Sequence, residues 1–274
     1  MSDNETKSSP YRVQVLDRAM AIIDTLALAK EHENLSLMEV AAKLQLHKST
    51  AHRLLMILER HRMVEREPRT GRYRLGLRLF ELGAIAIARF NIRDCARPHL
   101  ERVLFETDET VHLCVLDAGV VLYVDKVEPS RSVRMASKIG RLSPAHCSAV
   151  GKAMLAHLAE REVDDILKQH GLPRMTAKTI VTPADLKADL KAIRERGYAI
   201  DNEEAEEGVR CVGAVVLGPN ARPVGAISTS APAFRLPLER VPAVSASVCR
   251  AARAISMESG YRGSAPCEAA GLAR

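Results

Sequence analysis

The chain has 274 residues, of which 47% are hydrophobic and only 3% aromatic, so it is long enough for two modest domains with aliphatic cores. It contains no run of the roughly 20 apolar residues that a membrane helix needs, and its polar start, MSDNETKSSP, lacks the apolar segment of an export signal. The six cysteines stand singly, a pattern typical of reduced thiols in a cytoplasmic protein. We therefore expect a cytoplasmic protein without a membrane span.

The net charge of +6 is concentrated in one window, residues 43–78. This window contains ten lysines and arginines but only three glutamates, a net charge of +7, so the rest of the chain carries −1. A local excess of basic residues beside a nearly neutral body is typical of a module that binds a polyanion.

The N-terminal part begins with a predicted disordered tail, residues 1–10, followed by helical periodicity over residues 13–30. Ser36 precedes a second helix and Glu39 follows three positions later, which is the pattern of a capping box. After the break QLH, the segment KSTAHRLLMILERH predicts a third helix.

The third helix has an apolar stripe that we expect to face inward: Ala51, Leu54, Leu55 and Leu58. The next segment, MVEREPRTGRYRLG, contains two short extended stretches around the turn residues Pro68 and Gly71. The order helix, helix, turn, helix, hairpin predicts a winged helix-turn-helix.

A further helix is predicted over residues 75–90, LGLRLFELGAIAIARF, with apolar residues around much of its surface. We interpret it as a linker helix that also packs between subunits. Periodicity alone allows a second interpretation, one more helix of the N-terminal core.

The pattern changes after residue 93. Strand-like segments such as VHLCVLDAGVVLYVDKVE and VRCVGAVVLG alternate with helical segments such as TPADLKADLKAIRERG, and a Gly-containing turn indicates a hairpin. Helices mixed with antiparallel hairpins indicate an α+β domain. The end of the chain, from about residue 259, is rich in Gly, Ala, Ser and Pro and is predicted to be flexible.

The polar side of the third helix is the candidate DNA-binding surface. A helix that is entered through a tight turn can place its N-terminal half in the major groove, while the hairpin meets backbone phosphates. A solvated cationic face is the alternative, which the local charge of +7 and the following hairpin disfavour. The candidate DNA contacts are Lys48, Ser49, Thr50, His52, Arg53, Arg69, Arg72 and Arg74.

The segment SLMEVAAKLQLHKSTAHRLLMILERHRMVEREPRTGRYRLGLRLFELG resembles the DNA-binding domain of the IclR family of bacterial transcription regulators. The segments ETVHLCVLDAGVVLYVDKVE, GRLSPAHCSAVGKAMLA and GYAIDNEEAEEGVRCVGAVVLG resemble successive parts of that family's effector-binding domain. Two positions depart from the family pattern. The turn often written Gly-Leu-Pro starts with Gln45, and Glu207 replaces the proline often found before GVRC.

The resemblance implies a winged helix-turn-helix over residues 11–75, a linker helix over 76–92, a GAF-like α/β effector-binding domain over 93–258, and assembly as homodimers or homotetramers. It also implies effector contacts at Ser132, Met135, Ala149, Val150, Asp201, Cys211, Ser228 and Ser230. Backbone N–H groups at the helix start in SAVG would attract a carboxylate, and two strand serines would present aligned hydroxyls. No aromatic residue falls among these positions, which disfavours a large flat ligand.

The His and Cys residues of the second half also raise the possibility of catalysis or metal binding. His112 and Cys114 would share a face of a strand, but no orienting acid, oxyanion motif or nucleotide-binding motif accompanies them. The spacing of the His and Cys residues matches no tight zinc motif, so neither a metal nor a cofactor is expected. The acidic run DNEEAEE is interpreted as a solvated loop, although Asp201 within it is also a matched effector position.

The sequence therefore predicts a regulator that binds a double-stranded DNA operator and responds to a small organic acid. Two alternatives remain open: a metabolite-converting enzyme with a fused winged helix, and a winged-helix module that binds a protein partner.

Overall fold

The computed structural model describes residues 13–29, 34–88, 92–131 and 137–263, without the side chains of residues 84–88. The chain divides into two compact units, residues 1–89 and 90–274. The tail predicted at residues 1–10 and the last eleven residues of the tail predicted at 259–274 lie outside the described residues. Within the described part of the chain, no helix is both long enough and apolar enough to cross a membrane.

The first unit is a small helical core closed by a hairpin. Its elements are α1 (Gln14–Ala27), α2 (Leu37–Lys43), α3 (Lys48–Arg60), β1 (Val64–Arg66), β2 (Tyr73–Leu75) and α4 (Leu77–Ala88). The predicted inward stripe of α3 is confirmed, because Ala51, Leu54, Leu55 and Leu58 are all buried. The three leucines pack with Ile22 of α1, Val40 of α2 and Tyr73 of the hairpin into one hydrophobic cluster.

The junction between α2 and α3 has the geometry of a helix-turn-helix. The predicted capping box is present: Ser36 Oγ accepts the N–H of Glu39, and Glu39 Oε2 accepts the N–H of Ser36 at 2.7 Å. At the other end of α2, Gln45 has φ +51°, and the N–H of Leu46 donates to Ala41 O at 2.9 Å. This left-handed helix end is usually formed by glycine, so the departure from the family pattern at Gln45 leaves the turn intact at some cost in strain.

The described part of α4 exposes large apolar side chains. Leu77 is 70% exposed and Phe80 is 75% exposed. Exposed apolar surface of this kind often marks a contact with a partner. The interpretation of this helix as a linker that packs between subunits stays a prediction.

The second unit combines antiparallel strands with helices and is α+β, as predicted. Its strands are β3 (Thr110–Asp117), β4 (Val120–Val127), β5 (Leu142–Pro144), β6 (Ala199–Asn202), β7 (Val209–Leu217) and β8 (Pro223–Pro232). Its helices are α5 (Ile92–Thr107), α6 (Ala149–Leu155), α7 (Glu160–His170), α8 (Pro183–Arg196) and α9 (Val241–Glu258), with a short 3-10 helix at Leu238–Arg240. The described strands pair antiparallel in the order β5-β4-β3-β8-β7-β6.

Each face of this sheet is covered by a different set of helices. On one face Leu100 of α5 and Ile255 of α9 pack against Leu113 and other strand residues. On the opposite face Val150 of α6 and Leu186 of α8 pack in a second cluster. Because side chains alternate along a strand, every second residue of β7 and β8 points toward α6.

Two glycines allow close packing around the start of α6: Gly151 lies against the segment before the helix, and Gly213 of β7 lies against the helix start. A Cβ added at Gly151 would lie 2.2 Å from Ala145 O, and one added at Gly213 would lie 3.0 Å from the carbonyl carbon of Ala149. Neither position has room for a larger side chain, so the backbone at the start of α6 reaches the strand face. A cavity is left beside this contact.

Candidate functional site

The outer side of α3 presents polar and cationic side chains, as the sequence predicts. Lys48, Ser49, His52 and Arg53 are exposed, and Thr50 is half-buried. The capping residue of α3, His47, makes no side-chain hydrogen bond to the helix start. Backbone N–H groups at this start therefore remain available to an anion such as a phosphate.

Salt bridges divide the cations of the basic window into two groups. Arg62, Arg72, Arg74 and Arg78 each pair with a nearby glutamate. In the described residues, no ion pair is formed by the side chains of the other six: Lys43, Lys48, Arg53, Arg60, Arg66 and Arg69. The second group carries charge that no described carboxylate pairs with, and it is the better candidate for contact with a polyanion.

The hairpin arginines that the sequence assigns to DNA have different environments. Arg72 is half-buried and both oxygens of the Glu39 carboxylate accept from its Nη2, at 2.9 and 2.8 Å. Arg74 pairs with Glu65 at 3.2 Å, and both side chains are about half exposed. Arg69 lies exposed at the hairpin turn. Of the three, Arg69 has the guanidinium group with the least competition from protein carboxylates.

A cavity of about 190 Å³ opens on the α6 face of the sheet. Six of the predicted effector positions line it: Ala149, Val150, Asp201, Cys211, Ser228 and Ser230. The other two, Ser132 and Met135, lie outside the described residues. The described lining also includes residues that sequence reasoning did not assign to this site, among them His112, Tyr123, Ser137, Arg141, Ser148, Met175 and Glu206.

Strand register brings the predicted residues together. Asp201 of β6 pairs with Cys211 of β7, and Cys211 pairs with Ser230 of β8. Two residues before Ser230 on β8, Ser228 pairs with His112 of β3. These residues are far apart in the chain, and only the pairing of four strands makes them neighbours on one face.

The start of α6 offers fewer free donors than the sequence suggests. Ser148 Oγ accepts the N–H of Gly151 at 3.2 Å, and Ser148 O accepts the N–H of Lys152. In the described residues, the N–H groups of Ala149 and Val150 have no protein acceptor. The helix is only seven residues long, so its contribution to holding an anion is local and modest.

His112 forms part of the cavity floor and stays neutral. Its ring nitrogens lie 2.6 Å from Ser137 Oγ and 3.3 Å from Ser230 Oγ, and its ring meets that of Tyr123 edge-on at 5.1 Å. Burial, together with the positive charges of Lys126 and Arg141, lowers the pKa of His112 to about 3. Tyr123, an aromatic residue outside the matched effector positions, also lines the cavity.

Asp201 is buried and its carboxylate is held by the protein. Asp201 Oδ1 accepts the N–H of Glu204 at 2.8 Å and that of Ala205 at 3.3 Å. Burial outweighs these hydrogen bonds and raises the pKa of Asp201 to about 7. The interpretation of DNEEAEE as a solvated loop is therefore wrong for Asp201 and Glu204, which are both buried.

A buried lysine forms an ion pair with the loop that follows Asp201. Lys152 Nζ lies 2.6 Å from Glu204 Oε1 and 2.8 Å from Asp189 Oδ2, and Lys152 itself is almost fully buried. Since Glu204 donates its backbone N–H to Asp201, the lysine fixes the loop that carries the cavity carboxylate.

The chemistry of the cavity does not favour a nucleophile. Burial raises the pKa of Cys147 to about 12 and the pKa of Cys211 and Cys114 above its ordinary range, so these thiols remain protonated. Among the described residues, no three His, Cys, Asp or Glu side chains are placed to hold a metal ion.

Known proteins resemble both units. Residues 15–68 match the IclR helix-turn-helix domain, and residues 84–257 match the bacterial transcriptional regulator IclR C-terminal domain. The transcriptional repressor IclR of Escherichia coli is 33% identical over 257 residues, covering 93% of each chain. The regulator BhcR of Paracoccus denitrificans is 35% identical over 244 residues, 89% of this chain and 86% of that one. The crystal structure of the Thermotoga maritima IclR has a TM-score of 0.75 at 36% identity, covering 91% of this chain and all of that one.

A winged helix-turn-helix unit followed by an α/β effector domain defines a transcription regulator rather than an enzyme. The chain belongs to the IclR family of bacterial transcription regulators.

Proposed function

We propose that this regulator binds a palindromic DNA operator in a sequence-specific way and that a small carboxylate-bearing metabolite in the α6-face cavity changes its affinity for that operator. The observation that carries the proposal is the cavity itself. Strands β6 and β8 and the start of α6 direct two hydroxyls, a carboxyl group and free backbone N–H groups into one space.

The cavity dimensions support a small ligand. Its volume of about 190 Å³ lies below the roughly 300–1,000 Å³ of sites that hold drug-sized molecules. The buried hydroxyls of Ser228 and Ser230 suit a hydroxyl or keto oxygen. A small hydroxy or keto acid therefore fits the polarity and the size of the cavity.

The DNA contacts are assigned to the outer side of α3 and to the hairpin. Arg53 is exposed and not paired with a described carboxylate, so its fork of N–H donors is available to a guanine edge or a phosphate. Lys48, Ser49, Thr50 and His52 surround it on the first two turns of α3. Arg69 at the hairpin turn is assigned to backbone phosphate.

Oligomerisation is part of the proposal. A dimer holds two recognition helices at a spacing of about one DNA turn, ~34 Å, or a multiple of it, which a single α3 does not provide. The exposed Leu77 and Phe80 on α4 supply apolar surface for a second copy of the chain, in a homodimer or homotetramer. A full-length protein that remains monomeric at micromolar concentration and binds a half-site at full strength would refute this part.

Thermal unfolding in the presence of a panel of small carboxylates tests the effector site. A ligand at about 100 times its Kd adds about 2.7 kcal/mol to the free energy of unfolding. The variant Ser228→Ala/Ser230→Ala should gain less at the same concentration. Equal stabilisation of both proteins by the best ligand would remove the serines from the site, and binding of neutral or cationic compounds alone would overturn the carboxylate assignment.

A further inference from the structure

Arg141 is a cation at the mouth of the cavity that sequence reasoning did not assign to the site. It is exposed, it precedes β5, and it lines the cavity together with Tyr123 and Ser143. Among the described lining residues it is the one lysine or arginine. The acidic lining residues are Asp201 and Glu206.

In the part of the chain that the structure describes, the guanidinium group of Arg141 forms no ion pair and no hydrogen bond. Other arginines of the same unit are engaged. Arg97 pairs with Asp125, Arg222 with Glu162 and Arg235 with Glu109. Arg141 therefore places a positive charge at the opening of the cavity, and no described carboxylate pairs with it.

The backbone beside Arg141 is fixed, which keeps the side chain at this opening. Arg141 O accepts the N–H of Tyr123 at 3.1 Å, and the N–H of Gly140 donates to Tyr123 O at 2.8 Å. The next residues, Leu142 to Pro144, pair with β4. Because β4 belongs to the central sheet, the base of the Arg141 side chain is held in place before any ligand arrives.

The charge of Arg141 also acts on the cavity floor. Burial is the main cause of the low pKa of His112, and the positive charge of Arg141 contributes to it. Burial raises the pKa of the Tyr123 hydroxyl, while Arg141 acts in the opposite direction. A charge that acts on these two buried rings also attracts an anion placed among them.

We propose that Arg141 is the specificity-determining residue of the cavity, binding the carboxylate of the effector and selecting acids over their neutral analogues. This inference rests on the proposed effector site and deepens it. The carboxylate lies toward Arg141 at the mouth, and the hydroxyl or keto oxygen lies toward Ser228 and Ser230 on the floor. Arginine suits this role because its planar fork pairs with both oxygens of a carboxylate.

The polar groups on the floor of the cavity are compatible with this orientation of the ligand. Asp201 would repel a carboxylate placed beside it, but the serines and Asp201 lie on the strands, whereas Arg141 lies in the loop before β5. With the carboxylate at the mouth, Asp201 meets the uncharged end of the ligand. The carboxyl group of Asp201 then accepts a hydrogen bond from a ligand hydroxyl or, when protonated, donates one to a keto oxygen of the ligand.

Matched pairs of acid and amide test the proposal on the full-length protein. Lactate is compared with lactamide and benzoate with benzamide, within a wider panel of such pairs. The proteins are wild type, Arg141→Gln, Arg141→Lys and Arg161→Gln. The last is the control, because Arg161 is an exposed arginine of α7 that does not line the cavity and pairs with no described carboxylate. Thermal shifts rank the probes, and calorimetric titration gives Kd for the best acid and its amide.

The wild type and Arg161→Gln should bind the acid more tightly than its amide. In Arg141→Gln the Kd of the acid should rise about 10- to 100-fold, the loss expected for a charge-assisted hydrogen bond, while the Kd of the amide stays the same. Arg141→Lys should fall between wild type and Arg141→Gln, since it keeps the charge and loses the fork.

An unchanged ratio of acid to amide affinity in Arg141→Gln would overturn the role of Arg141 while leaving the effector site intact. If no acid of the panel stabilised the wild type, the carboxylate class itself would fail, and the role of Arg141 with it. Loss of affinity for acid and amide alike would indicate a structural role for Arg141 and would also overturn the proposal.

Discussion

Arg72 and Glu39 form a two-pronged ion pair, with Arg72 Nη2 lying 2.9 and 2.8 Å from the two carboxylate oxygens. Arg72 Nε also donates to Asn34 O at 2.7 Å. Since Glu39 closes the capping box at the start of α2, one guanidinium group joins the hairpin to the helix before the recognition helix. Arg72 therefore positions the hairpin, and a phosphate contact would have to compete with Glu39.

Replacement of Arg72 by alanine should lower stability rather than act mainly on DNA affinity. We expect a small loss in the free energy of unfolding of the N-terminal unit, because both side chains of the pair are partly exposed. Urea unfolding followed by circular dichroism measures this loss. A variant with unchanged stability and a clearly reduced dependence of DNA affinity on salt would show that Arg72 contacts phosphate instead.

Replacement of Arg69 by alanine should change DNA binding and leave the stability of the protein unchanged. Arg69 is exposed and unpaired among the described residues, so its loss should leave unfolding unchanged. If it contacts one phosphate, the slope of log affinity against log salt should become shallower by about one unit, for specific and nonspecific DNA alike. Arg161→Ala, an exposed arginine of α7 that pairs with no described carboxylate, is the control for the loss of a positive charge. An unaltered slope for Arg69→Ala would exclude the contact.

Arg53→Ala tests the reading of bases by α3. Arg53 is exposed on the second turn of the helix, and its neighbours Leu54 and Leu55 face the core. If Arg53 contacts a guanine, the variant should lose about 1–3 kcal/mol of binding energy on the operator and much less on random DNA. Gel-shift titrations on both DNAs measure the difference, with circular dichroism as a check of folding. Full operator affinity in a folded variant would contradict the assignment.

Asp201 should make the stability of the protein depend on pH. Its pKa rises from an ordinary 3.8 to about 7 on folding, chiefly because the carboxyl group is buried. Between about pH 4 and 7 the folded protein keeps a proton that the unfolded chain has released, so the free energy of unfolding falls as the pH rises through this window. The loss amounts to at most about 4 kcal/mol by pH 7.

Asp201→Asn should flatten this part of the stability profile, measured by urea unfolding from pH 5 to 8. Part of the slope should remain, since burial also raises the pKa of Glu204. Asp117→Asn removes an exposed carboxyl group from the same unit and is the control. Profiles of equal slope for wild type and Asp201→Asn would show that Asp201 does not retain its proton.

Local signals in the sequence are sufficient to predict the helices and the hairpin of the first unit. A capping box, an apolar stripe at helical spacing and a Pro-Gly turn each depend on residues within a few positions, so Ser36, Leu55 and the hairpin could be placed without a structure. The turn at Gln45 was harder, because the residue that adopts a positive φ there is not glycine. The break QLH is visible in the helical pattern, but its left-handed geometry is not.

The effector cavity depended on long-range pairing that no local pattern encodes. Cys211 and Ser230 were assigned by resemblance, but their direct pairing across β7 and β8 is a property of strand register. Arg141 precedes β5 and Tyr123 lies in β4, so their place beside the cavity depends on the pairing of these strands with each other and with β3, which the sequence alone does not indicate. The burial of Glu204 was missed because its partner Lys152 lies 52 positions away.

The most direct test of the account is operator affinity measured with and without the effector. Genomic DNA fragments that co-purify with the full-length protein supply the operator, and the acid that most stabilises the wild type supplies the ligand. Fluorescence anisotropy at one salt concentration then gives Kd in both states. A saturating ligand should change operator affinity about 5- to 150-fold, the range of a coupling free energy of about 1–3 kcal/mol, and should leave nonspecific DNA binding nearly unchanged. An acid that binds the cavity and leaves operator affinity the same would contradict the central claim.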